Sequence, residues 1–174
     1  MCGIAGFAGP PDPDLLKAMI SCLAHRGPDD EDFFVSDHVS LAYRRLAIID
    51  REKGDQPIYN EDRTKVIVYN GEIYNFRELR RPLEERHRFC TNSDTEVIVH
   101  LYEEHGVDAI PRLNGMFAFA LFDIAANRLV LARDRFGIKP LYYFVEQDRL
   151  YFASEAKALL KCRRTEPNDR QIYQ

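Results

Sequence analysis

The second residue of the chain is a cysteine, which combines two reactive groups once Met1 is removed. A thiol with a reference pKa of about 8.5 is a strong nucleophile only as the thiolate. An α-amino group on the same residue has a reference pKa of about 7.7–8.0, so part of it is neutral near pH 7 and accepts protons. Cys2 is therefore a candidate nucleophile with its own base. The alternative is a small buried residue at a chain start.

Two pairs of residues have the spacing of zinc ligands, namely Cys22 with His25 and His87 with Cys90. A closed zinc site needs four converging ligands, and neither pair has further ligands beside it. We therefore predict no metal site and interpret the cysteines as spectator thiols. The acidic run at 29–32 and the alternating arginines and glutamates of 77–88 are typical of solvated surfaces.

Composition restricts the class of protein that has to position these groups. The 174 residues carry a net charge of −4 and a pI near 5.8, whereas nucleic-acid and anionic-membrane partners require clustered basic residues. The longest uncharged apolar run, 115–122, is too short to cross a bilayer. Because the N-terminus lacks the basic flank of a secretion signal, we expect a cytoplasmic protein with four free thiols.

Apolar spacing predicts strands and one helix in the first 70 residues. Residues 2–8 are apolar on both alternating faces, which indicates a central strand covered on both sides. Apolar residues at helical spacing over 15–23 predict an amphipathic helix. Short β-branched or aromatic runs at 33–35, 39–43 and 66–69 predict strands of one sheet.

Helices and a second sheet are predicted for the remainder of the chain. Asn75 with Glu78, and Ser93 with Glu96, resemble capping boxes at the starts of two helices. The order predicts an α+β domain, two antiparallel sheets packed face to face with helices outside. The predicted helices are 76–86, 94–105 and 155–160, and the strands of the second sheet are 116–123, 129–132, 141–145 and 150–153.

Six short strings together resemble the class II glutamine amidotransferase domain, and most closely the N-terminal domain of glutamine-dependent asparagine synthetases. They occur in order over about residues 1–160, and a chance match of all six is very improbable. The last string favours the asparagine synthetase branch over related sugar-phosphate and purine enzymes. The strings are MCGIAGF at 1–7, HRGPDD at 25–30, RRLAIID at 44–50, YNGEIYN at 69–75, SDTE at 93–96 and RDRFGIKPLYY at 133–143.

The resemblance implies an N-terminal nucleophile hydrolase fold, an αββα sandwich, and hydrolysis of L-glutamine to glutamate and ammonia through a Cys2 thioester. It further implies that the Asn70 amide and the Gly71 backbone N–H stabilise the oxyanion of the tetrahedral intermediate. Taken alone, an Asn-Gly pair between apolar residues predicts a hairpin turn. In the context of the resemblance, the oxyanion role is favoured over the turn.

Free glutamine is a zwitterion, so its pocket needs a cation for the carboxylate and an anion for the ammonium. By resemblance these are Arg45, whose planar fork suits a carboxylate, and Asp94. The alternatives are a surface ion pair for Arg45 and simple capping of a helix by Asp94. The resemblance also suggests a pocket wall formed by Leu46, Ile48 and Ile49, and a second contact of the ammonium with Glu72.

The chain contains no phosphate-binding glycine loop, so synthetase activity is not predicted for these residues. We expect an amidotransferase domain over 1–160, a polar tail or linker start over 161–174, and a separate or missing synthetase domain or subunit that accepts ammonia. ATP and magnesium are expected only in that absent domain, with no cofactor here. Two rivals stay open: a silent glutamine-binding or interaction module if Met1 is retained, and a nucleophile hydrolase acting on another amide.

Overall fold

The structure, a computed structural model, describes residues 2–46 and 56–163. The predicted strands and helices occur in the predicted order, and a short strand, Ile58–Tyr59, and a 3-10 helix are additional. Within the described residues, no helix is both long and apolar enough to cross a membrane. The elements are β1 (Gly3–Ala8), α1 (Pro13–Ser21), β2 (Asp30–Val35), β3 (Val39–Arg45), β4 (Ile58–Tyr59), β5 (Lys65–Ile73), α2 (Phe76–Leu83), α3 (Asp94–His105), a 3-10 helix (Gly106–Arg112), β6 (Gly115–Asp123), β7 (Arg128–Arg133), β8 (Tyr142–Glu146), β9 (Arg149–Ala153) and α4 (Ala156–Leu159).

Two antiparallel sheets form, but the predicted allocation of strands to them is wrong. One sheet has the order β2-β3-β1-β9-β8 and the other β4-β5-β6-β7. The run at 66–69, expected in one sheet with β2 and β3, instead pairs with β6 in the other sheet, while β9 pairs with β1 and β8 pairs with β9. Strands buried on both faces carry no sequence mark of their partner, so chain order is a poor guide to pairing.

The strands pack into four layers, α-β-β-α, as predicted. Alternate residues of β5 show why: Val66 and Val68 lie in the core between the sheets, whereas Ile67 and Tyr69 lie in the core under α2 and α3. This is the two-residue period of a strand with both faces covered. A third core packs α1 and α4 against the opposite face of the other sheet.

Of the two predicted capping boxes, one is wrong and the other half correct. The Asn75 side chain does not cap α2, because its amide donates to the carbonyl of Arg112 and accepts from the backbone N–H of Asn114, both at 3.0 Å. Ser93 Oγ does cap α3, accepting from Thr95 N at 3.2 Å. Glu96 makes no reciprocal bond to Ser93 and instead holds the preceding loop.

Candidate functional site

Cys2 lies at the start of the central strand β1, and strand register determines its neighbours. Gly3 pairs with Arg44 near the end of β3, which places Cys2 beside the residues that follow. The Cys2 Sγ lies 3.0 Å from the Tyr43 hydroxyl and accepts a hydrogen bond from Leu46 N at 3.4 Å. Burial, together with Cys2, raises the pKa of the Tyr43 phenol, so its hydroxyl stays protonated and is able to donate to a thiolate.

Arg26 fixes the backbone of Cys2. Its Nε donates to the Cys2 carbonyl at 3.0 Å and its Nη1 donates to Glu155 at 2.8 Å. Burial opposes ionisation of Glu155, but hydrogen bonds from Arg26 and two neighbouring basic side chains lower its pKa to about 2. The carboxylate is thus charged at neutral pH and anchors Arg26. Sequence reasoning did not single out Arg26, although the HRGPDD string contains it.

Asn70 and Gly71 lie inside β5, so the hairpin interpretation is wrong. They pair with Ala118 and Phe117 of β6. Asn70 is 1% exposed, and within the described part of the chain its Nδ2 has no hydrogen-bond partner. A Cβ on Gly71 would come within 2.4 Å of the Met116 carbonyl, so this position requires glycine for close backbone contact. Within the described residues the buried Asn70 amide is therefore an unsatisfied donor, and the next position of β5 tolerates no side chain.

Asp94 is the first residue of α3 and is 3% exposed. Its Oδ2 accepts hydrogen bonds from the Tyr69 hydroxyl at 2.7 Å and from Ile73 N at 2.8 Å. Burial raises the pKa of Asp94 despite these two donors. Capping is performed by Ser93, so the Asp94 carboxylate is not needed for it. A buried carboxylate with a raised pKa gains most from a cationic ligand.

These groups meet in one cleft, of about 560 Å³ including its open mouth. It brings Cys2 together with Arg45, which is 8% exposed, and with Asp94. Asn70 is buried beside the cleft without lining it, and Ile48 and Ile49 lie outside the described residues. The lining residues are Cys2, Tyr43, Arg45, Leu46, Gln56, Tyr69, Gly71, Glu72, Ser93, Asp94, Thr95, Met116 and Lys139.

Several lining residues were not foreseen from the sequence. Gln56 is 6% exposed and exchanges two hydrogen bonds with the backbone of Tyr69, the residue whose hydroxyl donates to Asp94. Lys139 is 7% exposed and adds a second basic side chain to the lining. It belongs to the RDRFGIKPLYY string, so the resemblance could have indicated it, whereas Gln56 carried no such signal.

The two cysteine-histidine pairs do not converge. Cys22 Sγ donates to the carbonyl of Ala18, and His25 lies 2.9 Å from Glu155. Cys90 is exposed, while His87 faces glutamates. In the described ranges, the cleft residues do not form a group of metal-ligating side chains. The absence of a metal or cofactor at this cleft stays a prediction.

Comparison with known proteins identifies the family. The sequence pattern of the glutamine amidotransferase domain matches residues 1–173. The chain is 47% identical over 166 residues to asparagine synthetase [glutamine-hydrolyzing] 2 of Bacillus subtilis, and 48% identical over 165 residues to the corresponding Arabidopsis thaliana enzyme 2. Each alignment covers 91% of this chain but only 22% and 28% of those relatives. The chain thus spans about a quarter of their length.

Solved structures confirm the fold. A glutamine phosphoribosylpyrophosphate amidotransferase from B. subtilis superposes with a TM-score of 0.76, covering 91% of this chain and 43% of that one, at 22% identity. An allosteric regulatory enzyme of purine biosynthesis gives 0.78, covering 92% and 43%, also at 22% identity. The αββα sandwich of N-terminal nucleophile hydrolases, expected from the resemblance, is therefore the architecture of this chain.

Proposed function

Because the chain belongs to the glutamine amidotransferase domain family, we propose that it hydrolyses L-glutamine to glutamate and ammonia with Cys2 as nucleophile. One observation carries this proposal: the cleft joins the Cys2 thiol to a guanidinium, Arg45, and a buried carboxylate, Asp94. A cleft that holds a reactive thiol together with a cation and an anion matches a zwitterionic substrate with a scissile side-chain amide. A bulky or uncharged amide would not need both charges.

In the first half-reaction the Cys2 sulfur attacks the side-chain amide carbon of glutamine. The C–N bond breaks, the thiol proton reaches the leaving nitrogen through the α-amino group of Cys2, and ammonia departs. Water then attacks the thioester, returning the thiol and releasing glutamate. This sequence requires the removal of Met1, which lies outside the described residues. Two covalent steps replace one slow amide hydrolysis.

The oxyanion of each tetrahedral intermediate needs preorganised donors. The buried Asn70 Nδ2, without a partner in the described part of the chain, supports that role because substrate would supply the missing acceptor. Gly71 lines the cleft in the next position and contributes its backbone N–H. A glycine at this point keeps β5 close enough to β6 for that N–H to stay in the cleft wall.

Each of the two charges on the α-carbon of glutamine has a residue of opposite charge in the cleft. Arg45 binds the α-carboxylate in a fork geometry, and Asp94 binds the α-ammonium, assisted by Glu72. Leu46 lines the cleft beside Cys2, whereas Ile48 and Ile49, which the resemblance adds to this wall, lie outside the described residues. The raised pKa of Asp94 supports this assignment, because the charge of an ammonium compensates the carboxylate for the solvation by water that burial removes.

We propose further that the ammonia is passed to an aspartate-activating synthetase domain or subunit. The names of the matched relatives and the quarter of their length that this chain spans support this partner. ATP and magnesium then bind on that partner, residues 1–160 form the amidotransferase domain, and 161–174 begin the connection. Four free thiols favour a reducing compartment such as the cytoplasm.

Intact mass spectrometry with an electrophilic glutamine analogue tests the proposal. We expect a chain lacking Met1 to gain one adduct at Cys2, and Cys2→Ala to gain none while retaining its circular dichroism spectrum. Cys90→Ala, which removes an exposed thiol, is the matched control and should label like the wild type.

Three results would change the assignment. An adduct on Cys22, Cys90 or Cys162 contradicts the proposed site. Binding of glutamine without adduct or ammonia release, on a chain that keeps Met1, indicates a silent binding module. Equal ammonia release from glutamine and from a simple amide without α-substituents indicates a different nucleophile hydrolase, since Arg45 and Asp94 would then contribute nothing.

A further inference from the structure

Four side chains that do not line the cleft come together at α3: Glu61, His87, His100 and Glu103. Their ligand atoms all lie within 4.8 Å of one another. They come from three segments, the turn before β5, the loop after α2, and α3 itself. We propose that this cluster, the Glu61–Glu103 cluster, is a closed structural site for a divalent transition-metal ion such as Zn²⁺.

The distances between donor atoms fit a tetrahedral ion. His87 Nδ1 lies 3.4 Å from Glu61 Oε1 and 3.5 Å from Glu103 Oε2, and His100 Nδ1 lies 3.4 Å from the other Glu61 oxygen, Oε2. Bonds of about 2.0–2.1 Å to zinc place tetrahedral ligands about 3.3–3.4 Å apart. The fourth distance, 2.8 Å between His100 Nδ1 and Glu103, is that of a hydrogen bond, and it lengthens when a metal replaces the proton.

Both histidines present the correct nitrogen. A metal-binding histidine usually directs its other ring N–H to a carboxylate, which leaves the lone pair on the ligating nitrogen. His87 Nε2 lies 3.0 Å from Glu104 and His100 Nε2 lies 3.7 Å from Glu96, while both Nδ1 atoms face the cluster. His100 is fully buried, and its Nε2, although nearest to Glu96, has no hydrogen-bond partner among residues 2–46 and 56–163.

The two carboxylates are also held from outside. Glu103 Oε1 accepts from the Asn60 amide at 2.6 Å, and Glu61 Oε1 accepts from Arg88 N at 3.3 Å. Glu103 Oε2 faces both histidines, and Glu61 faces His87 with Oε1 and His100 with Oε2. Two carboxylates and two neutral imidazoles balance the charge of one divalent ion.

Surrounding rings restrict access to the cluster. The ring centroids of His87 and His100 are 4.6 Å apart, and Phe89 packs edge-on against His100, also at 4.6 Å. Four protein ligands complete a tetrahedron and leave no position for substrate, which is the arrangement of a structural zinc site. The ion would tie the turn before β5 and the loop after α2 to α3.

Metal content of the full chain tests the inference. The protein is loaded with Zn²⁺, dialysed, and analysed by mass spectrometry of its metals, with Co²⁺ absorption as a second probe of tetrahedral ligands. We expect one equivalent of zinc in the wild type, and the same in Cys2→Ala, which removes the cleft thiol. His87→Gln and Glu61→Gln should each weaken zinc binding by at least about 10–100-fold, the loss typical even of an outer partner.

Controls separate this site from surface binding. His38→Gln, which removes an exposed histidine, should keep full zinc affinity, and zinc should raise the Tm of this variant and of the wild type but not that of His87→Gln. Glu61 and His87 reach the solvent, so their variants are expected to fold, which circular dichroism verifies. Less than a tenth of an equivalent of zinc, or unchanged affinity in both ligand variants, means that protons alone hold the cluster.

Discussion

Helix α3 carries two buried acidic residues, Asp94 and Glu96, that differ in the hydrogen bonds they accept. Asp94 faces the cleft, and both of its hydrogen bonds from other residues end on one oxygen, Oδ2. Glu96 lies two residues further on and accepts from Cys90 N, Thr91 N and Thr91 Oγ1 at 2.6–2.7 Å.

The pKa values of the two carboxyls follow from this supply of donors. Burial raises the pKa of Asp94, whereas the donors around Glu96 outweigh burial and lower its pKa. The Glu96 carboxylate, which holds the preceding loop, receives enough hydrogen bonds to offset its burial, whereas the Asp94 carboxylate in the cleft does not. The same contrast holds for Asn70, whose buried amide nitrogen has no partner within the described ranges. The unsatisfied Asn70 amide lies where we propose that substrate binds.

The largest effect is expected at Asn70. Asn70→Ala removes a proposed oxyanion donor, so kcat should fall about 100- to 1,000-fold while KM for glutamine changes little. Steady-state assays of ammonia release measure both constants. Asn114→Ala alters an exposed asparagine instead and should leave kcat unchanged. Near-normal turnover in Asn70→Ala would remove this residue from the oxyanion site.

A somewhat smaller effect is expected at Asp94. Asp94→Asn keeps an oxygen for Tyr69 and Ile73 but loses the charge, and hydrogen bonds to charged groups contribute about 1.5–3 kcal/mol. KM for glutamine should therefore rise about 10- to 100-fold, with a smaller change in kcat. Asp108→Asn, at an exposed position of the 3-10 helix, is the matched control. A loss confined to kcat would indicate a catalytic rather than a binding role.

At Glu96 we expect a substitution to lower stability and to leave glutamine binding unchanged, whereas at Asp94 we expect weaker glutamine binding. Glu96→Ala leaves several donors without their acceptor and should lower the free energy of unfolding by about 1–3 kcal/mol, while KM stays near that of the wild type. Urea denaturation in a metal chelator measures the loss, with Glu78→Ala on the exposed face of α2 as control. If Glu96→Ala lost activity but not stability, the contrast with Asp94 would fail.

Much of the fold was predictable because its signals are local. The alternation of apolar residues located most strands, and helical spacing located α1 and α3. The allocation of strands to sheets was not predictable from chain order, and the two-residue β4 and the 3-10 helix were missed because short elements carry little periodicity. Asn75 failed as a cap because Arg112 and Asn114, far along the chain, compete for its amide.

The candidate site, like the fold, was predictable only in part. Residue types at the chemical positions were available from the sequence, because Cys2, Arg45, Asn70 and Asp94 stand in short strings characteristic of the family. Their convergence in one cleft, the hydrogen bond from Arg26 to the Cys2 backbone and those of Gln56 to the Tyr69 backbone depend on contacts between distant segments. Such contacts leave no trace in local spacing.

The sequence by itself determined the family, the order of the elements and the identity of the proposed nucleophile, because each depends on neighbouring residues. Only the tertiary structure decided that Asn70 and Gly71 form strand rather than turn, since pairing along all of β5 outweighs the local turn preference. It also brought His87 to His100 and two glutamates rather than to Cys90, because packing of the α2–α3 loop against α3, not spacing along the chain, determines which side chains meet.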